Sequence, residues 1–105
     1  MRRLSVYEGD TYAGLLEEDD NRNYKFTYST DYVKSSLPPI SLTLPKREEP
    51  YISETLFPFF SNLLPEGVNK RTICHTNKID ENDLFGLLMF FEGKDIIGNV
   101  SFKTI

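Results

Sequence analysis

The sequence predicts an α+β domain: a curved antiparallel sheet of about five strands with three short helices packed on one side or end. Three observations predict it. Apolar and polar residues alternate with period two through much of residues 4–44, as half-buried strands require. From Leu56 the apolar spacing lengthens to that of helices, punctuated by Pro58, Pro65 and Gly93. Alternation then returns in Ile96, Gly98, Val100 and Phe102, a closing strand able to rejoin the sheet.

In chain order, Leu4 and Val6 alternate with Ser5 and Tyr7, and Glu8-Gly9-Asp10-Thr11 supplies turn chemistry with Gly9 able to take a positive φ. A second strand through Tyr12 to Leu16 completes a hairpin. Glu17 to Asn21 is an acidic loop without the ordered oxygen spacing of an EF-hand. Tyr24, Phe26 and Tyr28 give the cleanest strand. Ser29 can cap a short helical turn through Val33, and Leu37-Pro38-Pro39 forces extended backbone. Ile40, Leu42 and Leu44 alternate with Ser41 and Thr43, which reads as another strand, stopped by Pro45; Lys46 to Pro50 is a mixed-charge loop. A meander of about four strands is too small to close a core alone.

The helices supply the rest. At about 100° per residue, Leu56, Phe57, Phe59, Phe60, Leu63 and Leu64 share one arc, with Ser61 and Asn62 outside it. Pro58 suits a first helical turn, and Pro65 ends this segment while opening a second that runs to Ile73. Asp80 is the expected N-cap of a third helix, followed by Glu81 and Asp83. Leu84, Leu87, Leu88 and Phe91 form its stripe, Phe85 and Met89 widen it, Phe90 lies round the other side, and Glu92-Gly93 ends it. Phe59, Phe60, Leu63, Leu64, Leu84, Leu87 and Leu88 are thereby assigned to the core.

Length and composition bound the function. At 105 residues the chain reads as one domain, 1–105. A net charge of -4 argues against a phosphate backbone as ligand, since nucleic-acid affinity rests on Lys and Arg. A lone cysteine, no apolar run after Arg2-Arg3, and no window of ~20 apolar residues point to the cytoplasm. His75 is the only histidine and sits beside Cys74; adjacent residues rarely face each other as nucleophile and base, and two ligands fall short of a zinc site. No glycine-rich phosphate loop or kinase catalytic signature occurs. The expectation is therefore no enzyme, no metal and no cofactor. Arg71 can pair locally or contact a partner, and a helix apolar nearly all round is either buried on two sides or offered, through Met89 and Phe90, to another protein.

Phe59-Phe60-Ser61-Asn62-Leu63-Leu64-Pro65-Glu66-Gly67, with Arg71 beyond it, resembles the F-x-N-L-L-P-[DE]-x…R signature of the HipA N-terminal subdomain. Asp83-Leu84-Phe85-Gly86-Leu87-Leu88 is similar to that family's D-x-F-x-L-L segment, and Gly93 to Val100 to its G-x-D-x-x-G-A-V segment, with Asn99 in place of Ala. Ile40 to Pro45 resembles its SLSLP strand, and Phe26-Thr27-Tyr28 its F-x-Y strand. HipA proteins are serine/threonine kinases of toxin–antitoxin modules whose catalytic machinery follows this subdomain; none follows in these 105 residues, so kinase activity is not carried over. The resemblance implies a free-standing, HipS-like component of a tripartite module, which binds and neutralises a HipA-like (HipT-like) kinase beside a helix-turn-helix HipB-like repressor. A detached lobe that completes or activates the kinase, or scaffolds a repressor complex, is the alternative. Phe60, Asn62, Leu63, Leu64, Pro65, Gly93 and Gly98 then become fold signature, leaving Met89, Phe90, Glu66 and Arg71 as the candidate partner surface.

Overall fold

The computed structural model describes residues 1–64, 67–91 and 100–104. Within them the sheet is antiparallel throughout and open. Strands β1 (Arg2–Glu8), β2 (Thr11–Glu18), β3 (Tyr24–Tyr28), β4 (Tyr51–Ser53) and β5 (Val100–Thr104) lie in the order β4-β3-β2-β1-β5. Four helices accompany them: α1 (Thr30–Lys34), α2 (Pro58–Ser61), α3 (Gly67–Asn77) and α4 (Leu84–Phe90). The α+β class and the five strands agree with the sequence reading. The helix count is one higher among the described residues, because the turn capped by Ser29 is a helix in its own right.

Strand parity sets the two faces. Leu4 and Val6 on β1, Leu16 on β2, Tyr24, Phe26 and Tyr28 on β3, and Val100 and Phe102 on β5 point inward and are buried. A register shift at Val6/Tyr7 leaves Ala13 without a partner, a β-bulge that bends the hairpin. Gly14, next to it, is required by space: a Cβ there would lie 2.3 Å from the Thr27 carbonyl oxygen. Gly9, in the hairpin turn, takes φ 60°, as its turn position anticipates. Phe60 is the aromatic hub, its ring 5.2–6.3 Å from those of Phe26, Phe57, Phe59 and Phe102. Phe60, Leu64, Leu87 and Leu88 are buried as expected, whereas Phe59, Leu63 and Leu84 are only partly covered; Phe85, expected at the stripe's edge, is fully buried.

Several boundary expectations change. Strand β2 runs on through Glu17 and Glu18, which the sequence reads as loop. Ile40–Leu44 is not a strand. It is a tight turn closed by a single bridge between Ser41 and Leu44, and the fourth strand is Tyr51–Ser53 instead. The cause is Tyr28, whose hydroxyl donates to the Leu44 carbonyl and accepts from the Ile40 N–H, so the segment's backbone is tied to a side chain rather than to a ladder. Asp83, not Asp80, caps α4: its carboxylate accepts from Gly86 N at 3.1 Å, while Asp80 accepts from Asn82 N one turn earlier. Helix α3 runs past Ile73 to Asn77, where Lys78 at φ 56° and a 2.9 Å bond from Ile79 N to Cys74 O close it as a Schellman motif. Helix α4 ends at Phe90 with Phe91 as its C-cap. The expectations on Pro65, Glu66, Glu92, Gly93, Ile96 and Gly98 fall outside the described residues.

Candidate functional site

Of the residues singled out for partner binding, Arg71 sits on α3 and Met89 and Phe90 on α4, while Glu66 lies outside the described residues. Arg71 is exposed on α3 and lines an open depression of about 600 Å³ with Cys74, His75, Lys78, Ile79, Asp80 and Glu81. Cys74 is buried at its floor, 2% exposed, and His75 is exposed at its rim, so the two do not form a facing pair. Met89 and Phe90 are half-buried on the last turn of α4, Met89 packing against the core and the Phe90 ring 5.1 Å from that of Phe91. The depression that Arg71 lines takes in neither, so the structure does not gather these residues into one pocket. Asn62, of the fold signature, is the exposed C-cap of α2. Among the described residues, no group of three or more His, Cys, Asp or Glu side chains could hold a metal, and no helix is long and apolar enough to cross a membrane.

The strongest polar cluster is one that sequence reasoning missed. Arg2 lies on the inward face of β1, directly across from Glu18 on β2. Its Nε and Nη2 donate to Glu18 Oε1 at 2.8 and 2.5 Å, and Nη1 and Nη2 donate to the two Asp83 oxygens at 3.0 and 2.7 Å. The guanidinium also lies 5.1 Å over the Phe85 ring. The fork of one Arg thus joins β1, β2 and the cap of α4. The bond from Arg2 holds the Asp83 carboxyl below the usual carboxylate range, against the opposing effect of burial, with Gly86 N–H adding to it. The same bond to Asp83, followed by that to Glu18, raises the Arg2 pKa and keeps it charged. Gly86 completes the arrangement, since a Cβ there would lie 2.4 Å from Asp83 Oδ2. The signal was available in parity: Arg2, Leu4 and Val6 share one face, as do Glu18 and Leu16.

The second organised feature is the segment between α1 and β4. Ile40 and Leu44 are buried beneath it, with the Tyr28 hydroxyl bonded to both; burial pushes that phenol up to about 12. Tyr32 stacks on Tyr28 and donates to Pro38 O at 2.7 Å. Lys46 Nζ donates to Ser35 O at 2.7 Å, and Tyr51, under Arg47 at 3.7 Å, donates to Pro45 O at 2.6 Å. At the tip, Ser41 and Thr43 hydroxyls bond each other at 2.9 Å and Leu42 is 95% exposed.

These features define a class: a small α+β domain, an open five-stranded antiparallel sheet carrying helices, whose charged cluster joins its own elements. The chain matches the family model for the HipA N-terminal domain over residues 4–103, and it belongs to that family. It is similar to an "Uncharacterized protein" of Haemophilus influenzae, 38% identical over 103 residues that cover 98% of this chain and 92% of that one. It is also similar to "Putative kinase Y4mE" of Sinorhizobium fredii, 29% identical over 89 residues, which are 84% of this chain and 21% of that protein. The solved structure of the N-terminal domain of HipA toxin superposes with a TM-score of 0.76 at 33% identity, covering all of this chain and 93% of that one.

Proposed function

We propose that this protein is a non-enzymatic, protein-binding component of a toxin–antitoxin module, which binds and neutralises or regulates a HipA-like serine/threonine kinase. One observation carries the reading. The fold is that of a HipA toxin N-terminal domain, and the Haemophilus relative is covered over nearly its whole length, so the same unit recurs in a chain of similar size. The partner is a HipT-like kinase, with a helix-turn-helix HipB-like repressor in the same complex. The acidic net charge of -4 suits a component that leaves the DNA to the repressor. The whole of 1–105 acts as one unit in the cytoplasm, without cofactor, metal, membrane or direct nucleic acid. Met89, Phe90, Glu66 and Arg71 contribute the contact surface.

A second reading is favoured by Y4mE, in which the matching segment belongs to a much longer chain named as a kinase. On that reading this protein completes or activates the kinase in trans, or scaffolds a repressor complex. Co-expression with a HipA-like kinase encoded beside it tests both. Co-purification with relief of toxicity and lowered phosphorylation supports neutralisation, and raised phosphorylation supports completion. Failure to co-purify with toxicity unrelieved sinks both.

A further inference from the structure

We infer that the exposed face of α3 is a docking site for a peptide segment of a protein partner, one that carries acidic residues and, beside them, a basic one. The inference rests on the reading of Arg71 as a partner contact and names the chemistry that contact takes. Residues 67–79 hold three of the chain's twelve Lys and Arg residues and none of its sixteen Asp and Glu residues, in a chain of net charge -4. Elsewhere most cations are engaged. Arg2, Arg3 and Lys25 pair with carboxylates, Lys46 and Arg47 donate to backbone carbonyls, and Lys103 lies 4.9 Å over the Tyr7 ring. Lys70, Arg71 and Lys78 have no such partner among the described residues. Arg22 and Lys34 resemble them but stand singly, one in the β2–β3 loop and one in the last turn of α1.

Spacing makes these charges a stripe. Arg71, His75 and, just past the last turn, Lys78 follow the i, i+4, i+7 spacing of one helix face, about 10 Å from end to end at ~1.5 Å per residue. All three line the same open depression of about 600 Å³. Asp80 and Glu81 line it too, yet neither pairs with Arg71 or Lys78. The backbone keeps the two signs apart: the bond from Ile79 N to Cys74 O turns the chain after α3, and Asp80 Oδ1 accepts from Asn82 N. An extended peptide advances ~3.3 Å per residue, so acidic residues two apart match the ~6 Å between Arg71 and His75, with a further one at Lys78. A basic residue beyond them then meets Asp80 and Glu81. A nucleic-acid strand fits less well. Its charge is negative throughout, so Asp80 and Glu81 oppose it, and the described lining residues include no Phe, Tyr or Trp on which bases stack.

The test titrates the isotope-labelled protein with capped peptides that carry Glu at alternate positions and one Lys at either end, followed by amide shifts in NMR. The amides of Arg71, His75 and Lys78 should shift and saturate. Arg71→Glu combined with Lys78→Glu turns attractions into repulsions and should raise Kd about tenfold or more. Glu81→Lys should reverse the preference, weakening the Lys-bearing peptides and tightening an all-Glu one. Arg71, Lys78 and Glu81 are exposed, so thermal melts of the variants should coincide with wild type. Peptides that leave α3 unshifted, or that bind the charge-reversed protein as well as wild type, overturn the inference. Tighter saturation of the same amides by an oligothymidylate overturns it in favour of a nucleic-acid strand. If no peptide binds yet a HipA-like kinase co-purifies with the wild type, the stripe falls and the kinase reading stands. If the peptides bind α3 and the kinase does not co-purify, the stripe stands and the kinase reading falls.

Discussion

Replacing Arg2 with Met tests whether one guanidinium holds α4 to the hairpin. Met keeps an apolar stem over the Phe85 ring but removes the cation that both the Glu18 and Asp83 carboxylates bond. Their side chains are 8% and 26% exposed, and that of Arg2 is 32% exposed. Removing one partner of a fully buried pair costs ~3–5 kcal/mol, and an exposed pair contributes ~0–1 kcal/mol. Solvent reaches Arg2 but hardly Glu18, which places the cost at about 2 kcal/mol, between those limits. For a domain of this size that is a melting-point drop of roughly 8–16 °C. Urea unfolding followed by circular dichroism should show the midpoint falling at constant m. Arg2→Lys, which keeps the charge but cannot form the fork, should recover under half of the loss. In a double-mutant cycle, Arg2→Met and Asp83→Asn should couple by about 1–2 kcal/mol. A cost for Arg2→Met below about 0.5 kcal/mol, or full additivity with Asp83→Asn, would refute the clamp.

Acid should expose the same clamp. The folded pKa of Asp83 lies below its unfolded value, so its contribution is complete above about pH 4 and is lost as pH falls through the folded value. Melts from pH 7 down to pH 2.5 should therefore show wild type and Arg2→Met converging below about pH 4. Gly14→Ala drives a methyl into the Thr27 carbonyl and should destabilise by about 2–3 kcal/mol in urea titrations; a neutral result would mean the bulge shifts freely. Tyr28→Phe removes the hydroxyl that serves Ile40 N–H and Leu44 C=O, at a cost of about 1–3 kcal/mol, and amide exchange at Ile40 should accelerate.

Parity made the inward faces of β1, β3 and β5 legible, because a half-buried strand leaves little choice about which residues alternate, whereas the bulge at Ala13 interrupts the alternation of β2. It failed at Ile40–Leu44 for a physical reason. A five-residue alternation is equally compatible with a turn that buries its ends, and the group that decides between them is a tyrosine 12 and 16 residues away. Strand β4 escaped notice because three residues after Pro50 carry no measurable period. Asp80 and Asp83 are equally good caps in isolation; Arg2, 81 residues from Asp83, makes the choice. Arg2 itself was read only as part of a basic N-terminus. The candidate surface was less legible still, since a helix apolar all round does not say how much of it the sheet covers. Met89 and Phe90 are half-buried, a state between the two alternatives the sequence offered.

Both organised features hang from the same sheet, at opposite ends of its strands. Arg2 pairs with Glu18, which pairs with Tyr24, whereas Tyr28 lies four residues further along β3, opposite Gly14. At ~3.3 Å per residue the two anchors are about 13 Å apart along the strand, beyond the ~7–10 Å within which substitutions usually interact. The clamp fixes α4, which carries Met89 and Phe90; the tyrosine fixes the turn that carries Leu42. Arg2→Met and Tyr28→Phe should therefore add in stability within about 0.5 kcal/mol. They should also separate in amide exchange, the first loosening α4 without changing exchange at Ile40, the second doing the reverse. Coupling well above that margin would mean that the sheet between them is not rigid.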